Sequence, residues 1–352
     1  SEIKGRQSES FFRQASFIVN AFVRYDTDLT EKLNLNASVF AEYNYDNRQN
    51  AGFTALGLNP ALPSSGSGFA AGDLTEGEDN DVYNYIPSVF SVENEIALAS
   101  TFATLSLDYD NRFGFGATIR RDATSRFVEN RDGVFWSTSG RWNLDNEAFM
   151  ENVDWVSTLK LRASYGVVGN QTVGSRYQGL QTVNSGSGYQ NTNSYALGTL
   201  IDPAIQWETS NQANIGLSFG LWQNRLSGEL DVYNNKTTDL FAGKPLSIAG
   251  TGTTTVQANV GDMTNQGVDL QISYNILRKS DSNPWDITLN ANGNYNKNEV
   301  TSLPGGFTGN TLRIAEGRSA FTWFLPRWAG VNPANGEPLY LDLDGNVTNV
   351  YS

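Results

Sequence analysis

The chain contains no cysteine and no histidine. The first absence excludes disulfides, thiol nucleophiles and cysteine-bound zinc; the second removes Ser-His and Cys-His catalysis and histidine metal ligands. Charged residues are scarce, at 17%, and they leave a formal net charge of -13, so no basic stripe exists to neutralise a nucleic-acid backbone. No apolar run approaches the ~20 residues of a membrane helix, and no basic stretch followed by an apolar one opens the sequence. The polar, irregular start from Ser1 to Arg13 reads as a segment of a longer chain. A search for membrane helices passes such a sequence over, but it misses β-barrels by construction.

Gly, Asn, Ser, Thr and aromatic residues are abundant instead, the palette of strands, turns and polar loops. Between Lys32 and Asn44, Leu33, Leu35, Ala37, Val39, Ala41 and Tyr43 occupy every second position, with mostly polar residues between them. Successive strand side chains point to opposite faces, so one face is apolar and the other wet. The alternation is long enough for a tilted strand to cross a bilayer, and it recurs in about ten segments. The others are Phe17–Tyr25, Ala103–Tyr109, Phe113–Ile119, Val134–Thr138, Leu159–Val167, Ala213–Phe219, Leu226–Val232, Val268–Ile276 and Trp285–Tyr295. The fold class is all-β: a transmembrane antiparallel β-barrel, of which this chain supplies part.

The connections alternate in length. Short links are expected at Asp26–Glu31, Asp110–Arg112, Asn143–Ser157, Trp222–Arg225 and Leu277–Pro284. Long ones are expected at about 45–94, 121–133, 169–206, 235–266 and 297–352. Tight turns on one side and extended loops on the other are the habit of outer-membrane barrels, with the long loops outside. Tyr25, Tyr109, Trp155, Trp222 and Trp285 sit near the short links, and Tyr43, Tyr45, Tyr165, Trp207 and Tyr295 near the long ones, as two interfacial girdles would.

Several segments are similar to the SusC/RagA-like TonB-dependent transporters of Bacteroidota outer membranes. They are Arg120-Arg-Asp-Ala-Thr-Ser-Arg-Phe127, Leu161-Arg-Ala-Ser-Tyr-Gly-Val-Val-Gly-Asn-Gln171, Trp207-Glu-Thr-Ser-Asn-Gln-Ala-Asn-Ile-Gly216, Asp231-Val-Tyr-Asn-Asn-Lys-Thr-Thr-Asp-Leu240, Asn259-Val-Gly-Asp-Met-Thr-Asn-Gln-Gly-Val-Asp269 and Gly330-Val-Asn-Pro-Ala-Asn-Gly-Glu-Pro-Leu-Tyr340. The resemblance implies part of a barrel of about 22 strands around a globular plug. It also implies a SusD-like surface lipoprotein as lid, and work supplied by the TonB-ExbB-ExbD complex through an N-terminal region. No plug, TonB box or closing strand with a terminal aromatic is recognisable in this segment.

On this reading the function is active import of a large nutrient, an oligosaccharide or peptide, across the outer membrane. The alternatives are a non-transporting barrel serving adhesion, secretion or surface assembly, and a soluble carbohydrate-active β protein whose apolar stripes are covered by a second sheet. Carboxylates such as Glu93, Glu95, Glu208 and Glu229 show no spacing that singles out an acid and a base, so no enzyme is expected. No cofactor is expected either. Asp342-Leu-Asp-Gly-Asn346 fits an Asp-Gly turn better than a calcium loop, although the acidic Asp73–Asp81 stretch offers carboxylates for a structural calcium.

Two groups of residues are candidates for a site. Arg120, Arg121, Asp122 and Arg126 gather at the end of the fourth strand as a lumenal charge network, which either fixes the wall or plug or touches ligand. Tyr83, Tyr85, Tyr177, Tyr189, Tyr195 and Trp323 lie in the long loops, where flat rings stack on sugars or peptide side chains or on neighbouring loops.

Overall fold

A computed structural model describes residues 6–56, 74–76, 82–84, 88–172, 176–177, 179–187, 192–198, 200–251, 254–279, 283–308, 311–342 and 344–350. Ten strands form one antiparallel sheet in which every strand pairs with its neighbour in sequence. They are β1 (Arg6–Thr30), β2 (Leu33–Leu56), β3 (Ser88–Tyr109), β4 (Phe113–Thr124), β5 (Asp132–Asn143), β6 (Val156–Asn170), β7 (Glu208–Leu221), β8 (Leu226–Thr238), β9 (Asp262–Leu277) and β10 (Ile287–Ser302). Nine of the ten alternating segments fall within these strands, and the tenth does so from Ile287 onward, with Trp285 just before β10. Most of the strands run further than their apolar faces: β1, β2 and β3 have 25, 24 and 22 residues, against the ~9–11 that a bilayer requires. Their far halves carry polar stretches such as Asp46–Asn50, without the apolar alternation, and extend the wall past the membrane.

The tight β3–β4 turn follows from its sequence. Asp110 and Asn111 both take φ of +53°, the left-handed region that short Asx side chains tolerate best, and Asp108 Oδ1 accepts the Asn111 amide at 3.0 Å. The expected alternation of link lengths fails at one place. Ser125–Arg131, between β4 and β5, is a compact link closed by a bond from the Thr124 amide to the Arg131 carbonyl, 3.1 Å. Leu144–Trp155, on the short-turn side, is the longer of the two and contains two turns of 3-10 helix. The apolar alternation stops at Ile119 and resumes at Val134, so it marks where the membrane face ends rather than where pairing ends.

Cross-strand pairing sorts the side chains into rows. Val23, Val39, Ala103, Ile119, Trp136 and Val167 form one row over six strands, and Val23, Val39 and Ile119 are 74%, 61% and 57% exposed. No second sheet covers that row among the described residues, as the soluble reading requires. A contiguous exposed apolar surface of this kind has lipid as its solvent.

The buried core lies at the long-loop end. Phe127, Phe135, Ile205 and Trp207 pack together, with Trp207 6% exposed, its ring 5.9 Å from Phe127 and 5.3 Å from Phe135, and its indole N–H donating to the Arg131 carbonyl at 3.2 Å. Trp207 is therefore a core residue, not a member of the outer girdle, because the β6–β7 loop folds back onto the strand ends and covers it.

Candidate functional site on the lumenal wall and outer rim

One step along the strands from the membrane-facing row lies the opposite face. Phe22, Phe40, Phe102, Arg120 and Phe135 are register partners on β1 to β5. Phe22 stacks on Phe40 at 5.5 Å and Phe40 on Phe102 at 4.5 Å, and the Arg120 guanidinium caps the ladder 4.8 Å above the Phe102 ring. The same guanidinium donates to both Asp122 oxygens at 2.7 and 2.9 Å and to Ser100 Oγ at 2.8 Å, and meets Glu42 at 3.4 Å. Buried Asp122 and Ser100 hold it in place, so Arg120 joins the charge network to the aromatic ladder.

Arg121 does not belong to that network. Alternation sends its side chain to the other face, where it pairs with Asp132 at 2.8 Å beside Val134, near the outer end of the membrane surface. Arg126 lies in the β4–β5 link, and its carbonyl accepts the Gly179 amide at 3.1 Å. Burial, reinforced by Arg176 and Arg48 nearby, pushes its guanidinium pKa down.

A second polar row crosses all ten strands: Asp28, Asn34, Asp108, Gly114 and Arg141, then Arg162, Gly216, Asp231, Asp269 and Asn294. Its centre is mirrored. Arg141 and Arg162 stand directly opposite each other, a repulsive placement, and each turns away across a glycine to an aspartate. Arg141 bonds Asp108 across Gly114, and Arg162 reaches Asp231 at 3.2 Å across Gly216. A Cβ on Gly114 would sit 3.1 Å from Arg141 Cζ, and one on Gly216 would sit 2.4 Å from Asp231 Oδ1. Only a residue without Cβ leaves the guanidinium a flat path. Toward the row's ends amides replace cations: Asn34 donates to Asp28 at 3.0 Å, and Asn294 to Asp269.

At the outer rim the β6–β7 loop returns to β2 and β3. Arg176 bonds the Asp46 carboxylate and carbonyl, and the Tyr177 hydroxyl accepts the Glu95 amide at 3.1 Å. Tyr177 thus serves loop docking. Tyr195 stands 71% exposed on the hairpin Val183–Ser187/Asn193–Leu197, and Trp323 is 67% exposed beside Phe324, over which Arg313 lies at 3.9 Å. Among the described residues, Tyr177, Tyr195 and Trp323 make no ring contact with one another. Tyr85, Tyr189 and the side chain of Tyr83 lie outside the described residues, as does most of Asp73–Asp81. Asp342 closes the expected turn, accepting the Asp344 and Asn346 amides at 3.0 and 2.8 Å around Gly345, and these bonds, that of Asn346 foremost, lower its carboxyl pKa.

A single antiparallel meander, apolar outside and laced with ion pairs inside, defines the wall of an outer-membrane β-barrel. The family described as TonB dependent receptor-like, beta-barrel matches residues 5–350, and the chain belongs to it. TonB-dependent receptor SusC of Bacteroides thetaiotaomicron is 27% identical over 94% of this chain and 35% of its own length. A TonB-dependent receptor of Formosa agariphila is 34% identical over 63% of this chain and 21% of its own length. The structure of the RagAB peptide transporter superposes with a TM-score of 0.83 and 27% identity, over 99% of this chain and 38% of that one. The chain thus spans between 21% and 38% of the length of the relatives named here.

Proposed function

We propose that this chain is a stretch of barrel wall in a SusC-like importer that takes up a large nutrient, an oligosaccharide or a peptide, by TonB-dependent transport. The observation that carries the reading is the two-faced wall: lipid-facing apolar rows on one side, and on the other a lumenal surface on which Arg120, Arg141 and Arg162 are held in fixed pairs with aspartates. A passive water-filled pore has no need of guanidiniums fixed over glycines, whereas a lumen packed against a moving domain requires a defined surface. In this reading a SusD-like lipoprotein closes over the outer rim, and TonB-ExbB-ExbD acts on a segment outside this chain. The exposed Tyr195 and Trp323 rings contact ligand or lid.

Uptake of labelled oligosaccharides and peptides by cells carrying or lacking the complete gene, with and without a functional TonB system, tests the proposal. Uptake that needs both is expected. Uptake independent of TonB contradicts it, and mass spectrometry of ligands that co-purify with the complete protein decides between glycan and peptide.

A further inference from the structure

On the short-turn rim, the β7–β8 turn runs through Trp222, Gln223 and Asn224 with φ of +51°, +59° and +58°. Three successive left-handed residues without glycine are a costly conformation, held here by bonds from the Trp222 amide to the Trp155 carbonyl, 2.6 Å, and from the Asn224 amide to Ser157 Oγ, 3.2 Å. The turn brings Trp222 to 6.5 Å from Trp155. Beside this pair is a concavity of about 640 Å³ lined by Trp155, Trp222, Arg225, Leu277, Arg278 and Asp154, among others. Leu277 pairs with Ile287 on the membrane-facing side, so the concavity opens where wall meets headgroups.

Its two arginines differ from the ion-paired arginines of the lumen. Backbone carbonyls fix both: Arg225 donates to Asn275 and Ile276 at 3.1 and 2.7 Å, and Arg278 to Gln223 at 2.7 Å. Among the described residues neither forms an ion pair, whereas Arg112, Arg120, Arg121, Arg141, Arg162 and Arg176 all do. In a chain of net charge -13, two positioned guanidiniums, neither paired with the Asp154 carboxylate of the same lining, stand beside paired indoles and form an anion site at the membrane interface. We infer that this rim concavity binds the phosphate of an anionic glycerophospholipid in the adjacent leaflet, with Arg225 and Arg278 on the headgroup and Trp155 and Trp222 against the glycerol and upper acyl chains.

The test is native mass spectrometry of the complete protein relipidated with an equimolar mixture of phosphatidylglycerol and phosphatidylcholine. The wild type is expected to retain phosphatidylglycerol over phosphatidylcholine by about tenfold, in line with charge-assisted bonds at a partly exposed site. The double substitution Arg225→Gln, Arg278→Gln is expected to bring that ratio close to one, while Lys244→Gln in an outer loop leaves it unchanged. Millimolar inorganic phosphate is expected not to displace the lipid. Equal retention of the two lipids by the wild type, an unchanged ratio in the double variant, or displacement by millimolar phosphate each overturns the inference; the first and third need no variant to fold.

Discussion

The two faces of this sheet are built on different rules. On the membrane face, Val23, Val39, Ala103, Ile119 and Trp136 follow one another across the strands with no fixed partner beyond being apolar. On the lumenal face three arginines are each tied to an aspartate: Arg120 to Asp122, Arg141 to Asp108 over Gly114, and Arg162 to Asp231 over Gly216. A face that meets a fluid solvent need satisfy only its polarity, whereas a face that meets a packed domain or a selected ligand must satisfy geometry. Substitutions should therefore be tolerated by chemical class outside and by position inside.

The largest expected effect lies where the wall gives way to its outer rim. Trp207→Ala empties the small loop core and should cost about 3–5 kcal/mol, as for other buried tryptophans, read as early protease sensitivity of the β6–β7 loop in the complete protein. Trp285→Ala, at a ring 68% exposed on the short-turn girdle, should cost much less. Next, Leu289→Arg within the apolar stripe on the membrane face should destabilise refolding into bilayers by about 2–4 kcal/mol, and Asn290→Arg, one residue on, by far less. A similar loss at both positions removes the distinction between the faces.

Within the lumen, Gly216→Ala should push the Arg162–Asp231 pair open and cost about 1 kcal/mol, because the displaced atoms are the ends of flexible side chains. On the membrane face, Gly140→Ala, whose Cβ would meet nothing within 4 Å, should be neutral in the same urea titration. The smallest effect is at the short-turn rim. Arg112, with help from the Trp142 indole, holds the Glu147 carboxyl below its ordinary pKa, so the stability it supplies is complete above about pH 4.5 and fades as pH falls through the lowered value. The stability difference between wild type and Glu147→Gln should shrink on acidification in that window and stay level from pH 6 to 8.

Much of the wall was legible in the sequence, since a two-residue period that long has no other economical reading, and every one of the ten apolar stripes became a strand. The strand ends were not legible, because past the membrane β1 to β3 pair through polar residues such as Asn47, Arg48 and Gln49 that carry no alternation. The outer core was equally hidden: Phe127, Ile205 and Trp207 sit in links without periodicity, and only their return to the β5 end makes them neighbours. Arg121 could have been placed correctly from parity alone, since a lumenal Arg120 obliges the next residue to face the other way. The mirrored Asp-Gly-Arg and Arg-Gly-Asp arms could not, because each spans three strands whose register only pairing reveals.

This chain has no cysteine, so once any cysteine outside it is replaced, single Cys variants report on one position each. The most direct measurement is spin labelling at Leu289→Cys and Asn290→Cys in the complete protein in lipid vesicles, comparing collision with oxygen, which concentrates in lipid, and with a water-soluble nickel chelate. The label at 289 should favour oxygen and the label at 290 the chelate. Oxygen preference at both positions, or a reversed order, would contradict the assignment of one face to lipid and the other to the lumen.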